Sequence, residues 1–218
     1  MYQQQKSGEI RFSGREIRDL GAAWLALGVA FTFFFRRDVA FGLLGATGQF
    51  PLDTAIVTLL MSMGTVGVGF LLHELAHKVV AIRFGRVAEF RADYTMLALA
   101  IGLGLAGFLF AAPGAVYHMG REVTSRQNGL IAVAGPVTNL LLAAVFFPLV
   151  VVAPDGLLLQ AGQLGVSVNL ILAAFNMLPF GPLDGRTVIG WSIIVFALVF
   201  TVSAALAVWA VLFVGFGL

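Results

Sequence analysis

The residues best placed for chemistry are His73, Glu74 and His77, in the run His73-Glu74-Leu75-Ala76-His77. On an α-helix, positions i and i+4 lie about 40° apart around the axis and roughly 6 Å along it. Two imidazoles at that spacing reach one metal ion from one helix face. Glu74 stands beside them and can take a proton from a water that the ion polarises. The chemistry implied is metal-assisted hydrolysis. The cluster interrupts an otherwise apolar stretch, and ionisable groups within a membrane segment usually face the protein interior and serve function. Two of the three histidines in the chain stand at ligand spacing around a glutamate. A packing role for the cluster does not explain that spacing.

A catalytic zinc takes three protein ligands and keeps a fourth position open. The chain has no cysteine, so the third ligand is an oxygen or another imidazole. His118, Asp155 and Asp184 are the candidates. Asp155 sits in the turn Ala153-Pro154-Asp155-Gly156, where aspartate is an ordinary turn residue. His118 follows Tyr117 in a stretch that reads as extended. Asp184 lies in a run from Asn176 to Gly185 where Pro179, Gly181 and Pro182 end an apolar helix, and broken helix in a membrane marks a cavity or a site. Residue types alone leave the three open.

The elements that position these groups must sit in lipid. Of 218 residues, 60% are hydrophobic and 11% charged, and the mean hydropathy is +0.97. A soluble domain carries about 25% charged residues. The composition excludes an ordinary soluble protein, a disordered chain and a nucleic-acid binder, and predicts a multi-spanning membrane protein. Apolar runs cover residues 20–35, 54–82, 96–112, 130–152, 157–178 and 188–218. The mixed-charge stretch 1–20 lacks the apolar core of a signal peptide, so the first run reads as a retained anchor.

The run 96–112 is short and rich in glycine (Gly102, Gly104, Gly107). Residues 87–94 before it alternate, and 115–118 after Pro113-Gly114 read as extended. The expected fold is an all-α polytopic membrane protein. It has five to six transmembrane helices and a small re-entrant, partly β insert after the metal-motif helix. It forms one membrane-embedded domain over 1–218, with a core at about 54–190 flanked by helices 20–36 and 188–218.

Three motifs then stand together: His73-Glu74-Leu75-Ala76-His77, Ala134-Gly135-Pro136-Val137-Thr138-Asn139, and Asn176 with Pro179 and Leu183-Asp184-Gly185. In this order and spacing, over about residues 64–190, the chain resembles the site-2 protease family of intramembrane zinc metalloproteases. The resemblance implies one zinc per chain, bound by His73, His77 and Asp184. It implies Glu74 as catalytic acid/base and Asn176 as a holder of substrate or oxyanion. It also implies an endopeptidase that cuts the transmembrane segment of single-span membrane proteins in the bilayer, with no nucleic acid involved. Asn139, Gly135 and Pro136 read as structural, joining helices or letting them approach. The run 96–112 is longer and more apolar than the β-hairpin usual there, and no PDZ or CBS domain is expected.

Two other classes compete. A non-catalytic zinc scaffold or metal transporter would also bind metal, but a transporter strings acids or histidines along a path, whereas here they form one cluster. A membrane zinc protease that trims lipid-modified C-termini would take glutamate as third ligand. Only Glu89 and Glu122 follow the motif, and neither lies in a clear second metal helix.

Charge offers a topology test. For Asp184 to share an ion with His73 and His77, their two helix ends must face the same side. Helix 130–152 then makes the crossing between them, and 96–112 enters and leaves on one face. With the N-terminus inside, eleven of the thirteen Lys and Arg lie inside and Arg36 and Arg37 outside; a spanning 96–112 gives eight and five. The positive-inside rule favours the first. The expectation is a prokaryotic, multi-pass cell-membrane protein with five spans, a cytoplasmic N-terminus and the site near the cytoplasmic face.

Overall fold

In lipid, an apolar run has no hydrogen-bond partner for its backbone but itself, so it closes into a helix. The computed structural model, which describes residues 10–109, 113–120 and 123–218, shows this. In chain order the helices are α1 (Gly14–Phe35), α2 (Arg37–Leu43), α3 (Leu52–Arg83), α4 (Tyr94–Ala106), α5 (Ser125–Val152), α6 (Gly156–Asn176), α7 (Asp184–Trp191) and α8 (Ile193–Val214). Strands β1 (Val87–Ala92) and β2 (Gly114–Met119) flank α4. Helices α1, α3, α5, α6 and α8 are long and apolar enough to cross a membrane. The described residues are thus all-α and polytopic, with one two-stranded sheet. Residues 1–9 of the polar N-terminal stretch, the last three residues of 96–112 and Glu122 lie outside the described residues.

Helix α3 carries a π turn at Met63–Gly67. There Trp24 of α1 donates its indole N–H to the Met63 carbonyl at 2.9 Å, and its ring fills the place a Gly67 side chain would take. One extra residue in a turn rotates everything after it by about 100°. The π turn therefore sets the face on which His73 and His77 emerge.

Strands β1 and β2 are antiparallel, with Val87 opposite Met119 and Ala92 opposite Gly114. The pairing puts the start and end of the insert side by side, so the excursion returns to the face it left. Between the strands, α4 has 13 residues, about 20 Å of helix, short of the roughly 30 Å hydrocarbon core. It lies along α1. Tyr94 donates its hydroxyl to Asp19 Oδ1 at 2.8 Å, and a side chain at Gly104 would run into the Ala30 backbone. At the far end Arg37 Nη1 donates to the Gly104 and Leu105 carbonyls at 3.2 and 2.7 Å. Those carbonyls lie in the last turn of α4, at the negative end of the helix dipole, where Gly104 also accepts from the Gly107 N–H at 3.1 Å. The insert is therefore re-entrant and partly β, as expected, but its centre is a helix.

The run 188–218 is not one helix. Ser192 is extended (φ −150°, ψ 110°) and its hydroxyl accepts from Val195 N–H at 3.3 Å, capping a new helix inside an apolar run. The break makes α7 a separate eight-residue element. A core of Leu27, Phe31, Val66, Phe70, Phe90, Leu97 and Leu164 joins α1, α3, the insert and α6. The C-terminal half of α3, the sheet, the start of α5, the end of α6 and α7 meet at one end of the bundle. Helices α3 and α6 run towards that end, and α5 runs away from it.

Candidate metal centre

His73 and His77 are buried on one face of α3. Asp184, first residue of α7, reaches them from the other side of the site. Its Oδ2 lies 3.2 Å from His73 Nε2 and 3.4 Å from His77 Nε2. Asp184 is set there by its neighbour: a side chain at Gly185 would overlap the Met177 carbonyl oxygen, so only glycine lets α7 press against the end of α6. Met177 and Val188 seal the join, both fully buried.

The tautomers follow from the partners. Asn139 Nδ2 donates to the Gly69 carbonyl at 3.2 Å and to Asn169 Oδ1 at 2.8 Å. Its Oδ1 must then be the atom that faces His73 Nδ1, at 2.6 Å, and it can only accept. His73 therefore carries its proton on Nδ1. His77 Nδ1 donates to the Ile131 carbonyl at 2.7 Å. Both Nε2 lone pairs are left facing Asp184, the arrangement metal-ligating histidines adopt. Ile131, Gly135 and Asn139 are spaced by four along α5, so one stripe of α5 meets the histidine stripe of α3.

Three acceptor atoms thus converge, and Asp184 Oδ2 is buried with no hydrogen-bond donor. A cation resolves that conflict. Ligands about 2.0–2.1 Å from a tetrahedral zinc stand roughly 3.3–3.4 Å apart, which the two Asp184 contacts match. Gly135 leaves room for the ion: a side chain there would stand 2.6 Å from His77 Nε2 and closer still to His73 Nε2. One oxygen of Glu74 also lies within 4.8 Å of the imidazole nitrogens.

The centre opens on a cavity of about 460 Å³ lined by Phe70, Glu74, Val116, His118, Phe175 and Asn176 among others. Asn176 donates to the Leu172 carbonyl of its own helix at 3.0 Å. Strand β2 forms one wall. Phe90 N–H goes to Glu16 Oε1 at 3.0 Å rather than to β2, so Phe90 and Val116 are a non-hydrogen-bonded pair. The backbone groups of Gly114, Val116 and His118 therefore point away from β1, and the His118 carbonyl accepts from Arg86 Nη2 at 2.9 Å. Among the described residues β2 pairs only with β1, and its outer edge at Gly114 and Val116 lines the cavity with Glu74.

Of the three candidates for a third ligand, Asp184 alone meets both imidazoles. Asp155 is exposed at the opposite end of α6, about 30 Å away along the helix. His118 lines the cavity, but Arg86 Nη2 donates to its Nδ1 at 3.0 Å and to its carbonyl at 2.9 Å. Sequence reasoning read Asn139 as a bond between helices, which it makes, and missed that it also orients His73. Asn169, a second buried amide, is the acceptor that fixes the Asn139 amide. The available signal was an uncharged polar residue, fully buried, within each of two apolar spans.

Comparison with known proteins gives relatives that bear the printed name "Putative zinc metalloprotease", three of them as follows. MJ0611 of Methanocaldococcus jannaschii is 42% identical over 192 residues, covering 87% of this chain and 91% of the relative. YwhC of Bacillus subtilis is 34% identical over 143 residues, 57% of this chain and 65% of the relative. Rip3 of Mycobacterium tuberculosis is 34% identical over 161 residues, 70% of this chain but 36% of the relative. No family profile and no solved structure matches.

Proposed function

This chain belongs to the site-2 protease family of zinc metalloproteases, and on that premise we propose that it is an intramembrane endopeptidase. It holds one zinc through His73, His77 and Asp184 and cuts the transmembrane segment of single-span membrane proteins. The observation that carries the reading is the Asp184 oxygen, buried without a donor at a ligand–ligand distance from both imidazoles.

Zinc, when bound, supplies Lewis acidity to a water molecule and to the scissile carbonyl. Glu74 takes the water's proton and returns it to the leaving amine. Asn176, on the cavity wall, holds the substrate backbone or its developing oxyanion. A helical substrate hides its amides and unwinds before attack, most readily where helix-weakening residues stand. The unwound stretch adds to the free edge of β2, which satisfies its backbone groups and lays it past Glu74. The N-terminus and the catalytic end face the cytoplasm of a prokaryotic cell, supported by the eleven-to-two division of Lys and Arg.

The test is zinc per purified chain. About one in wild type and in Glu74→Gln, and near none in Asp184→Ala, supports the assignment. Zinc retained by Asp184→Ala removes Asp184 from the ligand set, and no zinc in wild type after zinc-replete purification overturns the reading. Proline at Val116 should cut turnover and spare zinc; unchanged turnover sinks the strand-addition step. A tag after Gly120 reached from outside the cell refutes the orientation.

A further inference from the structure

His118 is the one histidine of the chain that the centre does not use. It lies on β2, whose Gly114, Val116 and His118 face inward while Ala115, Tyr117 and Met119 are exposed, and it lines the cavity with Glu74 and Asn176. Its ring is held from behind. Arg86 is buried, and its Nη2 donates to both His118 Nδ1 and the His118 carbonyl. A guanidinium has donors and no acceptor. Nδ1 must therefore be the unprotonated nitrogen, and the ring proton sits on Nε2. Burial and the Arg86 charge push the His118 imidazolium to lose its proton more readily than usual. The ring is thus neutral, fixed in one tautomer, and its remaining polar atom is a donor.

We propose that His118 is a substrate-contacting residue, its Nε2–H donating to a backbone carbonyl of the peptide that lies along β2. Arg86 is the positioning residue that selects the donating tautomer. The inference rests on the peptidase reading above and adds to it a specific contact beyond the metal. The chemistry suits a peptide bound as a strand, whose carbonyls face the cavity wall at alternate residues. It does not suit a metal-ligand role for His118, because a ligand would need an imidazole lone pair, and Arg86 already occupies the one this tautomer has.

Two amide substitutions separate the roles. In His118→Gln the amide nitrogen reaches towards the place of Nε2, and in His118→Asn the amide oxygen takes the place of Nδ1. The measurement is the Kd of two probes for the zinc-loaded, full-length chain in detergent. Acetohydroxamate reads the metal alone, and an acylated Leu-Phe-Ala hydroxamate reads metal plus peptide contacts. Acetohydroxamate should bind wild type and both variants alike. The tripeptide hydroxamate should bind His118→Gln nearly as tightly as wild type and His118→Asn about tenfold more weakly, the effect of one neutral hydrogen bond. The opposite order shows that His118 serves only as an acceptor for Arg86, and overturns the proposal. Equal binding by all three, or equal weakening in both variants, overturns it as well. Failure of acetohydroxamate to bind wild type strikes the metal-site reading itself, and the His118 role falls with it.

Discussion

Two buried polar clusters sit on α3 one residue apart, and they differ in whether the protein completes them. Lys78 is fully buried. Its ammonium donates to Glu16 Oε2 at 2.5 Å and to the Arg11 carbonyl at 2.7 Å, and it stands 4.0 Å from the centre of the Phe12 ring. The second oxygen of Glu16, also fully buried, accepts from Phe90 N–H. Charge meets charge, and the pair ties α1 to both α3 and β1. At His73 and His77 only the outer nitrogens are satisfied. The inner ones and Asp184 Oδ2 are acceptors facing one another. A polar cluster that closes on itself is structure, because in a low-dielectric interior each unpaired group is costly. A cluster that leaves acceptors converging is a place for something else.

Breaking each cluster should therefore give opposite phenotypes. The largest effect is expected from Asp184→Ala, which should take zinc from about one per chain to near none and abolish hydrolysis; full zinc there would erase the contrast. Glu74→Gln should keep its zinc and lose about 10²–10⁴-fold in cleavage rate, the usual contribution of general acid–base catalysis.

At the closed cluster, Lys78→Met should cost about 3–5 kcal/mol of stability by stranding the Glu16 charge, read as a lowered unfolding midpoint, with zinc retained in the folded fraction. Adding Glu16→Leu should recover most of that loss. Zinc lost in proportion to stability would mean that the two clusters are one. Asn139→Ala sharpens the contrast from the other side. It should weaken zinc by about 10–100-fold, as loss of a ligand-orienting partner does, measured by competition with a chelator.

The smallest effect belongs to Arg37→Met. Loss of a cation at the end of α4 should cost up to about 1 kcal/mol, leaving zinc untouched.

Much of this was legible along the chain, for local reasons. Spacing by four places His73 and His77 on one helix face wherever that helix goes, and twenty apolar residues form a helix in lipid whatever packs around them. Alternation at 87–94 and glycines at 102, 104 and 107 marked an insert unlike the spans. The broken helix before Asp184 marked a site without saying whose ligand it was. Less legible were the features made by one residue in an apolar background. Ser192 ends a helix that hydropathy alone would continue, and the π turn at Met63–Gly67 depends on a tryptophan some forty positions away.

The sequence by itself determined that this is a polytopic membrane protein carrying two histidines at metal-ligand spacing and a glutamate beside them, since composition and helical period need no partner. Tertiary structure alone decided which acid faces the pair. It set both imidazoles to donate from Nδ1, turned His118 towards Arg86, and laid the outer edge of β2 along the cavity that holds Glu74. Each of those outcomes rests on contacts between residues distant in the chain. Asn139 meets His73 from 66 positions away, and Ile131 meets His77 from 54. No local pattern records such a meeting, because what brings the residues together is the packing of whole helices.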